Sequence, residues 1–254
     1  FGWLIMGISG SLPFLLSGTI SSIPSALFET ISGYTTTGAS ILNDIETLTP
    51  GIMLWRSMTQ WIGGMGIIVL TVAILPLLGV GGMELFAAES PGPSSAKIHA
   101  KITDTAKRLW LIYVLITGVE VVLLKYAGMT WLDALNHSFT TISTGGFSTK
   151  NASIAAYENP LIEYIISGFM LIGGINFTII YFLCKFSFRK ATENEEFRIY
   201  LGIVSSFIIL ITTTLILTTN DQVEKSFRQA FFQVTTIVTT TGFSTSNYAT
   251  WTPF

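Results

Sequence analysis

Five apolar stretches, each near or above the length needed to cross a bilayer, divide this chain: residues 1–20, 51–86, 109–128, 161–186 and 199–219. A spanning helix needs about 20 mostly apolar residues. In hydrocarbon every backbone N–H and C=O must be satisfied within the protein, so only helices and closed barrels span membranes. Composition supports this reading. Only 11% of the residues are charged and 50% are hydrophobic, against about 25% charged in an ordinary soluble domain. The expected fold is therefore an all-α polytopic membrane protein, crossing the cell membrane several times. The stretches are interrupted by Pro13, by Gly63, Gly64, Gly66 and Pro76, by Glu120 and Lys125, and by "GGIN" at 173–176.

Several function classes fall away at once. A net charge of −2 gives no basis for nucleic-acid binding, and the single Cys184 excludes an internal disulfide or a cysteine metal cluster. His99 and His137 lack metal-ligand spacing. No paired carboxylates or Ser–His arrangement lie at membrane depth, and "TTTG" lacks the lysine of a phosphate-binding loop. No enzymatic activity and no organic cofactor are expected. The chain starts at Phe1 inside an apolar run, which reads as a fragment cut at both ends.

Three segments between the long stretches are too short or too polar to span: 22–35, 131–142 and 223–238. Each reads as a short helix. Ser21 or Ser22 is placed to cap the first, with Pro24 in its opening turn; Thr130 caps the second, with Asp133 behind; Asn220 or Asp221 caps the third, ahead of Glu224. Lysine and arginine crowd the connections 97–108 and 185–198, which are therefore read as cytoplasmic. The connections 38–50 and 143–160 hold only Lys150 and are read as external.

Each short helix runs into a hydroxyl-rich stretch with a glycine. Aligned, these are "ALFETISGYTTTGAS" (26–40), "ALNHSFTTISTGGFS" (134–148) and "AFFQVTTIVTTTGFS" (230–244). Gly38, Gly146 and Gly242 coincide, as do Ala26, Ala134 and Ala230. Irregular backbone at membrane depth survives only where it is buried in protein or lines a watery cavity. A short helix entering from outside points its partially negative C-terminus inward, which favours a cation. Backbone carbonyls beyond it can replace an ion's hydration shell. Without carboxylates, such a site suits a weakly hydrated monovalent ion better than Ca²⁺. The competing reading is a non-conducting membrane scaffold whose Thr/Gly stretches only pack helices.

These residues resemble the Trk-type potassium-uptake proteins, relatives of the Ktr and HKT transporters. The resemblance rests on "QWIGGMGIIVLTVAILPLLGVGGMELFAAESPGP" (60–93), "AKRLWLIYVLITG" (106–118), "NHSF" (136–139), "GGFST" (145–149) and "QAFFQVTTIVTTTGF" (229–243), and covers essentially the whole chain. It implies repeated helix–pore helix–filter loop–helix units around a central pore: 1–86, then a cytoplasmic linker at 87–105, then 106–190, and 191–254 cut after its filter. It implies K⁺ as the transported ion, held by filter residues Thr36, Thr37 and Gly38, Thr144, Gly145 and Gly146, and Thr240, Thr241 and Gly242. Uptake would be passive or coupled to H⁺ or Na⁺ (symport) across the inner or plasma membrane. A homodimer and a cytosolic nucleotide-binding regulatory subunit, Trk-A-like, are the implied partners, with 87–97 as a possible contact. Gly145 departs from threonine. A fourth repeat, an intramembrane gate loop, an arginine below the filter and two N-terminal helices of the family are absent, so the fragment alone is not expected to conduct.

Four further residues invite expectations. Arg56 snorkels or pairs with Asp44 or Glu46. Glu120 pairs with Lys125 or with a neighbouring helix. His137 is packed or hydrogen-bonded rather than a proton relay. "GGIN" serves either close helix packing or a local unwinding that faces the pore.

Overall fold

The computed structural model describes residues 2–74, 95–184, 187, 189, 192–219 and 222–246. Among them all regular structure is helical: α1 (Gly2–Leu16), α2 (Ile23–Tyr34), α3 (Pro50–Ile74), α4 (Ser95–Tyr126), α5 (Trp131–Ile142), a 3-10 turn (Ser153–Tyr157), α6 (Pro160–Gly173), α7 (Phe177–Cys184), α8 (Glu195–Thr219) and α9 (Val223–Val238). The protein is a polytopic all-α membrane protein. Within α4 and α8, the stretches Ala106–Tyr126 and Glu195–Thr218 are long and apolar enough to cross a membrane. Their outer faces carry Leu111, Leu115, Ile203, Phe207 and Ile209, all exposed, as a lipid-facing surface requires.

The short helices α2, α5 and α9 fall where the sequence places them. Thr130 caps α5, accepting the N–H of Asp133 at 3.1 Å. Ser22 occupies the N-cap of α2, but its side chain makes no capping bond; Pro24 alone starts that helix. The N-cap of α9 is Gln222 rather than Asn220 or Asp221, which lie outside the described residues, as do Pro76 and 75–94. Two element boundaries also differ from expectation. Helix α4 starts at Ser95, inside the stretch read as a linker, and the span at 161–186 is divided into α6 and α7.

Glycine pairs explain the packing at two junctions. A Cβ on Gly63 would lie 2.0 Å from the carbonyl oxygen of Tyr34, so α3 rides directly on the end of α2. One on Gly64 would lie 2.9 Å from Ser143 Cβ and from the Tyr113 hydroxyl, at the end of α5. Tyr113 donates to the carbonyl of Trp61 at 3.0 Å. The next junction repeats this. Gly173 faces the Ile142 carbonyl, Gly174 faces Thr239 and the Tyr200 hydroxyl, and Tyr200 donates to Leu171 O at 3.2 Å. Each tyrosine thus bonds the carbonyl two residues before its glycine pair. At the second junction the Ile175 N–H turns to Ile172 O instead of Leu171 O, and α6 ends. The close packing expected at "GGIN" is observed, and α6 ends there; α3, with the same glycine pair and tyrosine bond, stays helical, so neither feature alone breaks a helix.

Candidate functional site

The sequence α2-loop, α5-loop, α9-loop gives three copies of one backbone arrangement. Helix α2 ends at Tyr34, with Thr35 as its C-cap. The N–H of Thr36 bonds to Gly33 O at 2.9 Å and that of Thr37 to Ser32 O at 3.0 Å. These are the two bonds of a Schellman motif, which normally places glycine in the left-handed position. Here threonine occupies it: φ is +54° at Thr36, +51° at Thr144 and +57° at Thr240. A β-branched residue with positive φ is an outlier, costing on the order of 1–3 kcal/mol. Two residues on, the glycines carry the second positive φ: +77° at Gly38, +74° at Gly146 and +85° at Gly242. Three separate segments hold the same pair, a strained threonine followed by an unstrained glycine.

This geometry aims oxygen atoms. In a trans peptide the N–H and the preceding C=O point in opposite directions. The amides of Thr36 and Thr37, of Thr144, Gly145 and Gly146, and of Thr240, Thr241 and Gly242 all bond back to their short helix. The carbonyls of Thr35 and Thr36, of Ser143, Thr144 and Gly145, and of Thr239, Thr240 and Thr241 therefore face away from it. The loops also lie against one another. A Cβ on Gly38 would lie 2.2 Å from the Gly145 carbonyl oxygen, and one on Gly146 only 1.8 Å from that of Thr241. Gly38 thus lies beside Gly145, and Gly146 beside Thr241, with the second loop between the first and third. A Cβ on Gly242 would meet no described atom within 4 Å.

Polar side chains brace each loop from its own short helix. Aligned positions Glu29, His137 and Gln233 reach the segment beyond the glycine. Glu29 accepts from the Ser40 hydroxyl and the Ile41 N–H, both at 2.9 Å. His137 Nε2 meets Ser148 Oγ at 3.1 Å, and Gln233 Nε2 meets Thr245 Oγ1 at 3.4 Å. His137 Nδ1 lies 2.8 Å from the Asp133 carbonyl. A carbonyl only accepts, so Nδ1 carries the proton and Nε2 accepts from Ser148. The expectation of a hydrogen-bonded histidine holds. At the start of α5, burial pushes the Asp133 carboxyl up, but hydrogen bonds from Thr149 and Thr130 outweigh it and hold it below its ordinary value.

The first and second loops share a buried ion pair. Arg56 Nε donates to Glu29 Oε1 at 2.7 Å, its Nη1 donates to Ser148 O at 3.1 Å, and its guanidinium lies 3.6 Å from the Phe147 ring centroid. Arg56 is 2% exposed and Glu29 is 0% exposed. This corrects the expected pairing with Asp44 or Glu46. Those carboxylates are exposed and join the two loops elsewhere, Asp44 to Asn151 at 3.0 Å and Glu46 to Lys150 at 3.6 Å. The pairing of Glu120 with Lys125 is corrected too. Five residues along a helix turn the side chains about 140° apart, and Lys125 donates to Met129 O at 3.2 Å. Sequence reading passed over Glu29 and the two tyrosines, Tyr113 and Tyr200. The signal for Glu29 was available: a polar residue stands nine positions before each aligned glycine.

Known proteins match nearly the whole length of this chain. Residues 2–254 match the TrkH family, described as cation transport protein. The Trk system potassium uptake protein TrkH of Salmonella typhimurium is 44% identical over 253 residues, which make up 98% of this chain and 52% of that protein. Its Escherichia coli counterpart is 45% identical over 255 residues, with the same 98% and 52% shares. The crystal structure of the potassium transporter TrkH from Vibrio parahaemolyticus matches with a TM-score of 0.85 at 38% identity, over 98% of this chain and 51% of that one. The chain thus spans about half the length of the relatives it matches. A family match over nearly every residue, joined to an all-helical membrane fold with three equivalent loops, makes this chain a member of the TrkH cation transport family.

Proposed function

We propose that the protein containing this chain takes up potassium across the cell membrane through a channel-like pore, and that the three loops form three walls of its selectivity filter. Thr36, Thr37 and Gly38 belong to the first wall, Thr144, Gly145 and Gly146 to the second, and Thr240, Thr241 and Gly242 to the third. The observation that carries this reading is the threefold recurrence of the strained Thr–X–Gly turn, with its carbonyls turned from the short helix and its neighbours in contact. Helix packing alone gives no reason to hold threonine left-handed three times. Carbonyl oxygens aimed at one axis give a reason, because they substitute for the water around a dehydrated ion. K⁺ is the cargo rather than a resident cofactor.

The units 1–86, 106–190 and 191–254 are assigned as successive pore repeats, with a fourth wall beside Gly242 completing the ring. Transport is passive or coupled to H⁺ or Na⁺. The assembly is a homodimer that binds a cytosolic nucleotide-binding subunit. Growth tests the proposal. The full-length protein should restore growth of potassium-uptake-deficient cells at low potassium, and Gly242→Ser at the same expression level should not. Rescue by Gly242→Ser with unchanged K⁺ over Na⁺ preference would remove the third loop from the filter.

A further inference from the structure

Gly145 stands where the first and third loops carry Thr37 and Thr241. The reason is a side chain from another unit. A Cβ on Gly145 would lie 2.3 Å from Cδ of Gln60, 2.5 Å from its Oε1 and 2.7 Å from its Nε2. Gln60 lies on α3 and is 0% exposed. Its Nε2 donates to the Gly145 carbonyl at 2.7 Å, and its Oε1 accepts the N–H of Phe147 at 3.1 Å. One partner only accepts and the other only donates, so the orientation of the amide is set by the backbone it meets. Gln60 therefore clamps the second loop on both sides of Gly146, the glycine that touches the third loop.

The next junction is built differently. Three residues before the first glycine of the pair stands Gln60 in α3 and Met170 in α6. Met170 is buried in an apolar cluster with Ile166, Phe232 and Phe243. The second loop is thus pinned by an amide from α3, whereas the corresponding residue of α6 is apolar.

We propose that Gln60 is a specificity-determining positioning residue: it fixes the Gly145 carbonyl in direction and draws on its lone pair. The inference rests on the filter reading given above. Ion choice depends on the spacing and field strength of the carbonyls that replace water. An oxygen held by a buried N–H moves less and presents a weaker field. Both effects favour the larger, more weakly hydrated cation, so removing the clamp lowers preference for K⁺ over Na⁺.

The test uses the full-length protein with its regulatory partner in proteoliposomes, with K⁺ and Na⁺ fluxes measured side by side. Gln60→Met is similar in length and places at this junction the residue the next one already uses. It should purify as a monodisperse protein and lose about two- to tenfold in K⁺ over Na⁺ preference, the equivalent of one hydrogen bond. A second pair reads the shared space. Gly145→Ala should lower K⁺ flux, and Gln60→Ala in the same chain should restore part of it. Unchanged preference in Gln60→Met, or a Gly145→Ala defect of equal size with and without Gln60, would overturn the role of Gln60. Gly146→Ala in the same vesicles separates the two levels. If it too leaves flux and preference intact, the filter reading fails; if it abolishes flux while Gln60→Met is silent, only the Gln60 inference fails.

Discussion

Gly146→Ala should reduce potassium uptake by the full-length protein about 30- to 4,000-fold. Two costs combine. A left-handed alanine is disfavoured by about 1–2 kcal/mol, and φ here is +74°. The added methyl also meets a backbone oxygen, the Thr241 carbonyl 1.8 Å away, which no rotamer change can remove. Overpacking of this kind costs about 1–3 kcal/mol. A total of about 2–5 kcal/mol, at roughly tenfold per 1.4 kcal/mol, gives that range when the strain falls on the conducting arrangement. Radioactive rubidium uptake in cells with matched expression checks it. The third loop carries the oxygen that is struck, so the defect should extend to ion preference as well as rate.

Arg56→Leu should destabilise the folded protein by about 3–5 kcal/mol, because it leaves the Glu29 carboxylate buried without its cation. Glu29 also accepts from Ser40 and from the Ile41 amide, and Arg56 holds Ser148 O. Losing the pair loosens the segments beyond both glycines. The paired Arg56→Leu, Glu29→Leu variant should recover much of the stability, since a buried ion pair is often replaceable by apolar groups. Uptake should not recover, because the loops lose their braces in both variants. Thermal unfolding of purified protein read beside uptake distinguishes these effects. Equal stability loss in the single and paired variants would show that the ion pair is not what Arg56 supplies.

Much of the architecture was legible because the membrane simplifies the problem. Apolar length marks the long helices, and the three polar segments between them fell on α2, α5 and α9 within a residue or so at each end. The glycines at 38, 146 and 242 announced the turns. What could not be read was the inner side of the packing. Arg56 chose Glu29, 27 positions away, over the nearer Asp44 and Glu46, because the short helix α2 carries Glu29 into the interior against α3. The threonine at each left-handed position runs against intrinsic preference, so local rules point away from it; only the Schellman bonds hold it there. Gly145 looked like a departure from the repeat. It became intelligible once Gln60, 85 positions earlier, was found in the space its side chain would fill.

The central claim is that the three loops present carbonyl oxygens to a dehydrated monovalent cation. Diffraction from crystals of the full-length protein grown in rubidium, recorded at the rubidium absorption edge, tests it most directly. The account predicts an anomalous peak beside the carbonyls of Thr36, Thr144 and Thr240, lost in Gly146→Ala crystals and on replacing rubidium by sodium. Well-ordered loops with no peak between them, in a protein that still takes up rubidium, would contradict it.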